Sequence, residues 1–320
     1  MKKLITAALL LAAAAFSAGA QNLELELGAR GGVGFGSDPG FYADKVTLSA
    51  SGNFDGHFSF VWRQRLTRPL VGSQPLNGTD LLVLYYRTGS WVFSAGKYAL
   101  ENAGFEFDSH PLDLFLLSGA GSHFECYQLQ VSVGRTFGDY TLMGQVARSP
   151  FASMESGELN ALKAFSLCLH GTYGKSWTPL YSLNLYETAP SEYSFQFTFA
   201  NRVMPARWLT AELDFTSRSA PGALSVFRDC SVIAGAYVKP WDFLEFVFKG
   251  TYERNDLWDD PLLDFGADMF RWSAGVYGYP LKDRRSVRLH LLLMNDSVNT
   301  YAQLGFTFRP RFNFDFSSRK

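Results

Sequence analysis

From Leu23 onward, apolar and polar residues alternate with a period of two in segment after segment. That period belongs to strands with one apolar and one polar face. Leu23, Leu25 and Leu27 oppose Glu24 and Glu26; Tyr193, Phe195, Phe197 and Phe199 oppose Ser194, Gln196 and Thr198; Leu244, Phe246, Phe248 and Tyr252 oppose Glu245, Lys249 and Glu253. The pattern predicts roughly sixteen strands, at 23–35, 42–53, 57–66, 80–88, 91–98, 123–135, 138–148 and 162–173, then at 178–187, 193–202, 207–217, 227–238, 241–253, 269–279, 285–294 and 299–308. Tight links are predicted at Asp55-Gly56, Thr88-Gly89, Phe137-Gly138-Asp139, Gly174-Lys175, Met204-Pro205, Lys239-Pro240 and Lys282-Asp283, each joining an even strand to the next odd one. Most intervening links are longer, at 66–79, 99–122, 149–161, 218–226 and 254–268, although those near 37–40, 188–191 and 296–299 are short. Trp91, Trp177, Trp208 and Trp241, with Phe58 and Tyr140, fall beside the tight links, as an interfacial aromatic girdle requires.

Alternation alone leaves open which face is inside, because a soluble sandwich also carries one apolar face. The N-terminus bears on this. Lys2 and Lys3 precede an apolar run from Leu4 to Phe16 and the small residues Ala18, Gly19 and Ala20, the order of an export signal. Cleavage is expected after Ala20, giving a signal peptide over 1–20 and a single barrel domain over 21–320. Export, strand lengths near the 9–11 residues that cross a bilayer and the long-loop/short-turn asymmetry together predict an all-β transmembrane antiparallel β-barrel in the outer membrane. Its apolar face then meets outer-membrane lipid, its polar face lines a hydrated lumen, and an even strand count leaves both termini on the short-turn rim.

Composition narrows the function. The 320 residues carry 29 Lys and Arg against 30 Asp and Glu, with 47% hydrophobic residues and 16% aromatic ones. This excludes a disordered chain, a disulfide-built miniature and a strongly basic nucleic-acid binder. Cys126, Cys168 and Cys230 are odd in number and widely spaced, with no CxxC and no His at metal-ligand spacing, and read as small apolar fillers rather than a disulfide framework. No HExxH, GxSxG, P-loop or complete GxGxxG occurs; Gly31, Gly32, Gly34 and Gly36 mark a strand end. Asp108, Ser109 and His110 are the residue types of a hydrolase, but neighbours on one loop do not make an oriented triad. No catalytic residue, cofactor or metal is expected.

The strand Trp91 to Lys97 ending in Ala95-Gly96-Lys97, the following Glu101-Asn102-Ala103-Gly104-Phe105-Glu106, and the sixteen-strand rhythm resemble Gram-negative outer-membrane porins, in particular the phosphate-selective porin O and P family and its Bacteroidetes-type relatives. The chain departs from that family in having no proline between the strand end at Lys97 and Pro111 and in ending in Ser317, Ser318, Arg319 and Lys320; Phe312, Phe314 and Phe316 lie just upstream. The resemblance implies a third loop, about 101–121, that folds into the barrel and narrows it, and a homotrimer. That loop carries Glu101, Glu106, Asp108, His110 and Asp113, and an apolar patch of Leu112, Leu114, Phe115, Leu116 and Leu117 suited to docking on the wall. By parity Arg30, Lys45, Arg63, Arg65, Lys249 and Arg271 point inward as a basic arc. The expected arrangement sets this arc opposite the acidic loop, with a transverse field between them. Passive diffusion of small hydrophilic solutes or ions is the leading reading. The alternatives are a substrate-selective channel for anions such as phosphate or for hydrophobic solutes, to which inward Tyr186, Tyr237, Tyr277 and Tyr279 point, and a plugged structural barrel.

Overall fold

Period-two alternation produces an unbroken run of strands. A computed structural model describes residues 21–36, 39–67, 78–102, 104–119, 126–151, 162–219, 226–255, 268–281, 283 and 286–316. The expected signal peptide, Ala103, Lys282 and Ser317 to Lys320 lie outside the described residues. The first eight strands are β1 (Asn22–Phe35), β2 (Gly40–Asn53), β3 (Phe58–Arg65), β4 (Thr79–Thr88), β5 (Trp91–Ala99), β6 (Tyr127–Phe137), β7 (Tyr140–Arg148) and β8 (Lys163–Gly171). They are followed by β9 (Trp177–Ala189), β10 (Glu192–Ala206), β11 (Leu209–Arg218), β12 (Asp229–Trp241), β13 (Leu244–Asn255), β14 (Asp268–Gly278), β15 (Val287–Asn295), β16 (Thr300–Phe308) and β17 (Arg311–Asp315). Each strand pairs antiparallel with the next from β1 to β16. Both β16 and β17 pair back onto β1, through Ala29↔Phe308 and Glu26↔Arg311 in one continuous register. They are therefore one sixteenth strand interrupted at Arg309-Pro310, and the sheet closes as a sixteen-strand barrel. Closure removes every sheet edge.

Two turns differ from the prediction, and proline is the reason. Pro205 lies inside β10 where the ladder shifts between Val203 and Ala206, and Pro240 inside β12 where it shifts between Val238 and Trp241. A residue without an N–H is tolerated in a bulge, so these prolines mark ladder irregularities and the turns fall after them, at Arg207-Trp208 and Asp242-Phe243. The turn between β6 and β7 is Gly138-Asp139, and the positive φ of 58° at Gly138 is one that glycine adopts without strain. On the same rim, Asp55 accepts hydrogen bonds from the backbone N–H groups of His57 and Phe58, each at 2.9 Å. Gln21 and Phe316 also meet there, Phe316 N donating to Gln21 O at 2.9 Å.

The distribution of polarity is inverted relative to a soluble core. Val131, Leu213 and Leu291 are 56%, 52% and 54% exposed on the outer face, whereas Gln196 and Glu253 are 2% and 0% exposed on the inner one. Trp91, Trp177, Trp208 and Trp241 are all exposed at the short-turn rim. The third loop carries a short helix α1 (Phe105–Asp108) and a 3-10 turn at Pro111–Asp113, and among the described residues no helix is long and apolar enough to cross a membrane.

Candidate functional site

The segment after β5 turns into the barrel because the wall supplies partners for its backbone. A connection without ladder bonds carries N–H and C=O groups that must be satisfied elsewhere. Glu101 Oε2 lies 2.7 Å from His170 Nε2, Ser182 Oγ donates to Asn102 O at 2.6 Å, and the Tyr186 hydroxyl donates to Asn102 Oδ1. Phe105 N, at the start of α1, donates to Asp214 Oδ2 at 2.8 Å, and the Arg202 guanidinium lies 4.2 Å from the Phe105 ring centroid. The chain then reaches the opposite wall. Lys45 Nζ donates to Pro111 O at 2.7 Å, Arg288 to Leu112 O at 3.0 Å and Arg30 to Leu114 O at 2.6 Å. On the return, Lys249 Nζ donates to Leu116 O at 2.6 Å and Arg271 to Leu117 O at 2.8 Å. Five consecutive contacts thus pair a wall cation with a loop carbonyl, from strands β1, β2, β13, β14 and β15.

The six predicted basic residues all lie on the inner face, but the arrangement differs from the expected one. Arg30, Lys45, Lys249 and Arg271 hold the loop instead of facing it across an opening. Arg63 and Arg65 share Asp80 at 3.3 and 2.7 Å, and Arg63 also donates to the Tyr127 hydroxyl. The loop lies on the arc because unpaired carbonyls and ring faces attract guanidinium and ammonium groups as carboxylates do. Phe115 shows this, with Arg30 4.4 Å and Arg288 5.5 Å from its ring centroid. Leu112 is fully buried over Gly28, where an added Cβ would come within 2.6 Å of the leucine side chain.

Each acidic loop residue has a partner. Glu106 binds Lys249 and accepts from Ser118 N at 2.9 Å; Asp108 accepts from the Tyr173 hydroxyl; Asp113 pairs with Arg288 at 2.7 Å and Arg309 at 3.3 Å. His110 Nδ1 accepts from Leu112 N, and its Nε2 lies 3.5 Å from Glu26. Burial first, and then the cations Arg309, Arg63, Arg311 and Lys45, push its pKa well below the ordinary histidine range. The contact with Glu26 is therefore made by a neutral ring, and the carboxylate takes its charge partners from Arg309 and Arg311. Ser109 Oγ donates to Phe105 O, so Asp108, Ser109 and His110 are each engaged elsewhere and form no triad. Arg202, Asp214, Arg288 and Arg309 belong to the site and were missed. Strand parity alone places Arg288 inward, between outward Val287 and Leu289, whereas nothing local marks Arg309.

A cavity of about 390 Å³ lies between the loop and the wall formed by β10 to β15. Phe105, Phe115, Tyr237, Tyr277 and Tyr279 supply its aromatic surface. Glu106, Asp113, Glu212, Asp214 and Glu245 face it, with Arg202, Lys249 and Arg288 as the cations. Tyr186 also points inward but is bound to Asn102.

No protein-family model matches the chain, and no curated protein matches it. Solved structures do. The outer membrane channel DcaP of Acinetobacter baumannii aligns with a TM-score of 0.63 at 11% identity, over 91% of this chain and 97% of that one. A mutant of the Rh. blastica porin aligns at 0.60 and 10% identity, over 90% and 100%. In vitro folded OmpT of Vibrio cholerae, an outer membrane protein in its trimer form, aligns at 0.59 and 11% identity, over 91% and 99%. At these identities the likeness is one of fold. It supports the general porin barrel rather than the phosphate-selective O and P family in particular.

Proposed function

We propose that the chain is an outer-membrane porin, exported by a leader over 1–20, whose mature barrel passes small hydrophilic solutes or ions by diffusion. The observation that carries this reading is a closed barrel with a polar interior and an apolar exterior, an arrangement that suits lipid outside and water inside. The third loop narrows the passage, since wall cations on five strands hold it across the lumen. Five carboxyls against three cations around the cavity favour cations over anions. A homotrimer is the proposed assembly, following the trimer form of the similar Vibrio cholerae protein. The aromatic lining of the cavity favours a second reading, a channel selective for solutes that stack on rings.

Single-channel conductance of the refolded mature chain in a planar bilayer, with the reversal potential under a KCl gradient, tests both readings. Stable open steps with a cation-selective potential are expected. Saturation of the current by an aromatic or sugar solute would favour the selective channel. A heat-modifiable barrel that never opens would overturn the porin reading and leave a plugged barrel.

A further inference from the structure

Cys168 and His170 are two residues apart on β8, so their side chains share the inner face. On a strand, this i, i+2 spacing converges two donors as a longer spacing does on a helix. A third donor arrives from the loop, since Glu101 lies just beyond β5 and its carboxylate oxygen is 2.7 Å from His170 Nε2. The donor atoms of Glu101, Cys168 and His170 all lie within 4.8 Å of one another. Zinc–ligand lengths place donors around one ion roughly 3.3–3.8 Å apart, so small side-chain adjustments bring all three into range.

Two further observations point to a ligand. Cys168 is 0% exposed, and among the described residues no hydrogen bond reaches its thiol. Glu101 is held on a rigid base, its N–H donating to Gln145 Oε1 at 3.0 Å while the next residue is fixed by Ser182 and Tyr186. The side chains of Glu101 and His170 keep 16% and 25% exposure, which gives an ion a route from the lumen.

We propose that Glu101, Cys168 and His170 form a binding site for one divalent transition-metal ion of the zinc class. Thiolate, imidazole and carboxylate together suit zinc, whereas magnesium and calcium require all-oxygen sites. Binding replaces the thiol proton by a metal–sulfur bond and the proton shared by His170 Nε2 and Glu101 by metal–nitrogen and metal–oxygen bonds; the thiol proton is released to water, and the shared one moves to His170 Nδ1 or is released with it. The ion ties the start of the third loop to β8 and adds a metal bridge to the carbonyl contacts that hold the rest of the loop. This site is independent of the transport reading.

The test uses the full mature barrel, refolded without a histidine tag, stripped with chelator and titrated with Co²⁺ and then Zn²⁺. One Co²⁺ per chain with a thiolate-to-cobalt charge-transfer absorption, displaced by Zn²⁺, is the expected result. Cys168→Ser abolishes that absorption, and His170→Gln weakens Zn²⁺ binding by about ten-fold or more. Cys126→Ser and Cys230→Ser leave both unchanged. Heat-modifiable mobility confirms folding of each variant, and Glu101→Gln on the loop replaces Cys168→Ser if that variant does not fold. A folded wild-type barrel that takes up no stoichiometric metal, or uptake unchanged in the ligand variants, would overturn the site.

Discussion

Arg30 reaches two loop carbonyls, binds Asp44 and lies over Phe115, all from a side chain that is 5% exposed. Arg30→Ala leaves Leu114 O without that charged donor and Leu112 O with Arg288 alone, at about 2 kcal/mol of loop anchoring, or roughly a 30-fold rise in amide exchange across 110–117. Arg30→Lys restores only part, because an ammonium lacks the planar fork that serves two acceptors. Exchange measured by mass spectrometry on the refolded barrel checks this, and an unchanged rate in Arg30→Ala would show that the loop is held elsewhere. Asp55 gives a pH-dependent case on the turn rim. The N–H groups of Phe58 and His57 hold its carboxyl below the usual aspartate range. The turn is thus stabilised above the unfolded-state pKa of about 3.9, and loses that stability as pH falls through the lower folded value. Exchange at His57 and Phe58 is expected to accelerate in that acid window. Asp55→Asn keeps the acceptor and removes the pH dependence.

At the scale of elements, the sixteenth strand shows what closure demands. Leu23 to Glu26 of β1 face β17, and Leu23 forms with Ala50 a buried cluster against which Phe60, Trp62 and Phe316 pack. Truncation before Arg311 strips the outer partner from that half of β1 and exposes its ladder groups. The shortened chain is expected to lose heat-modifiable mobility, while alanine at Phe312 and Phe314 keeps the ladder and weakens packing alone. Closure preserved in the truncated chain would show that β16 suffices. The strands themselves were legible because period two is a local property: β1, β9 and β13 match their predicted ranges to within three residues at either end. The break at Pro310 and the proline-bearing bulges were not, because a proline reads as a turn until its neighbour in the ladder is known. The lodging of the loop was likewise hidden. Arg30 meets Leu114 from 84 residues away and Lys249 meets Leu116 from 133, and no local pattern reports which wall a loop will choose. Parity assigns six basic residues to the inner face and says nothing of their partners, which are carbonyls and rings as much as carboxylates.

For the whole molecule, the inverted polarity makes a demand that no soluble barrel shares. Leu291 is at the middle of β15, outward and 54% exposed, paired with Val276 and Leu304. Ser273, on neighbouring β14, faces the cavity instead. If the belt meets hydrocarbon, arginine at Leu291 places a charge near the bilayer midplane, at about 2–4 kcal/mol. Arginine at Ser273 enters a polar lumen and leaves folding intact. In water the ranking reverses: an exposed Leu→Arg change is nearly neutral, whereas an arginine forced among packed interior residues is severe. Folding into lipid vesicles, followed by urea titration and heat-modifiable mobility, separates the two cases. Leu291→Arg is expected to lower stability and yield, and Ser273→Arg to fold normally while shifting conductance and moving the reversal potential toward anions. The opposite ranking would place the apolar face against protein rather than lipid, and the transport reading would fall with it.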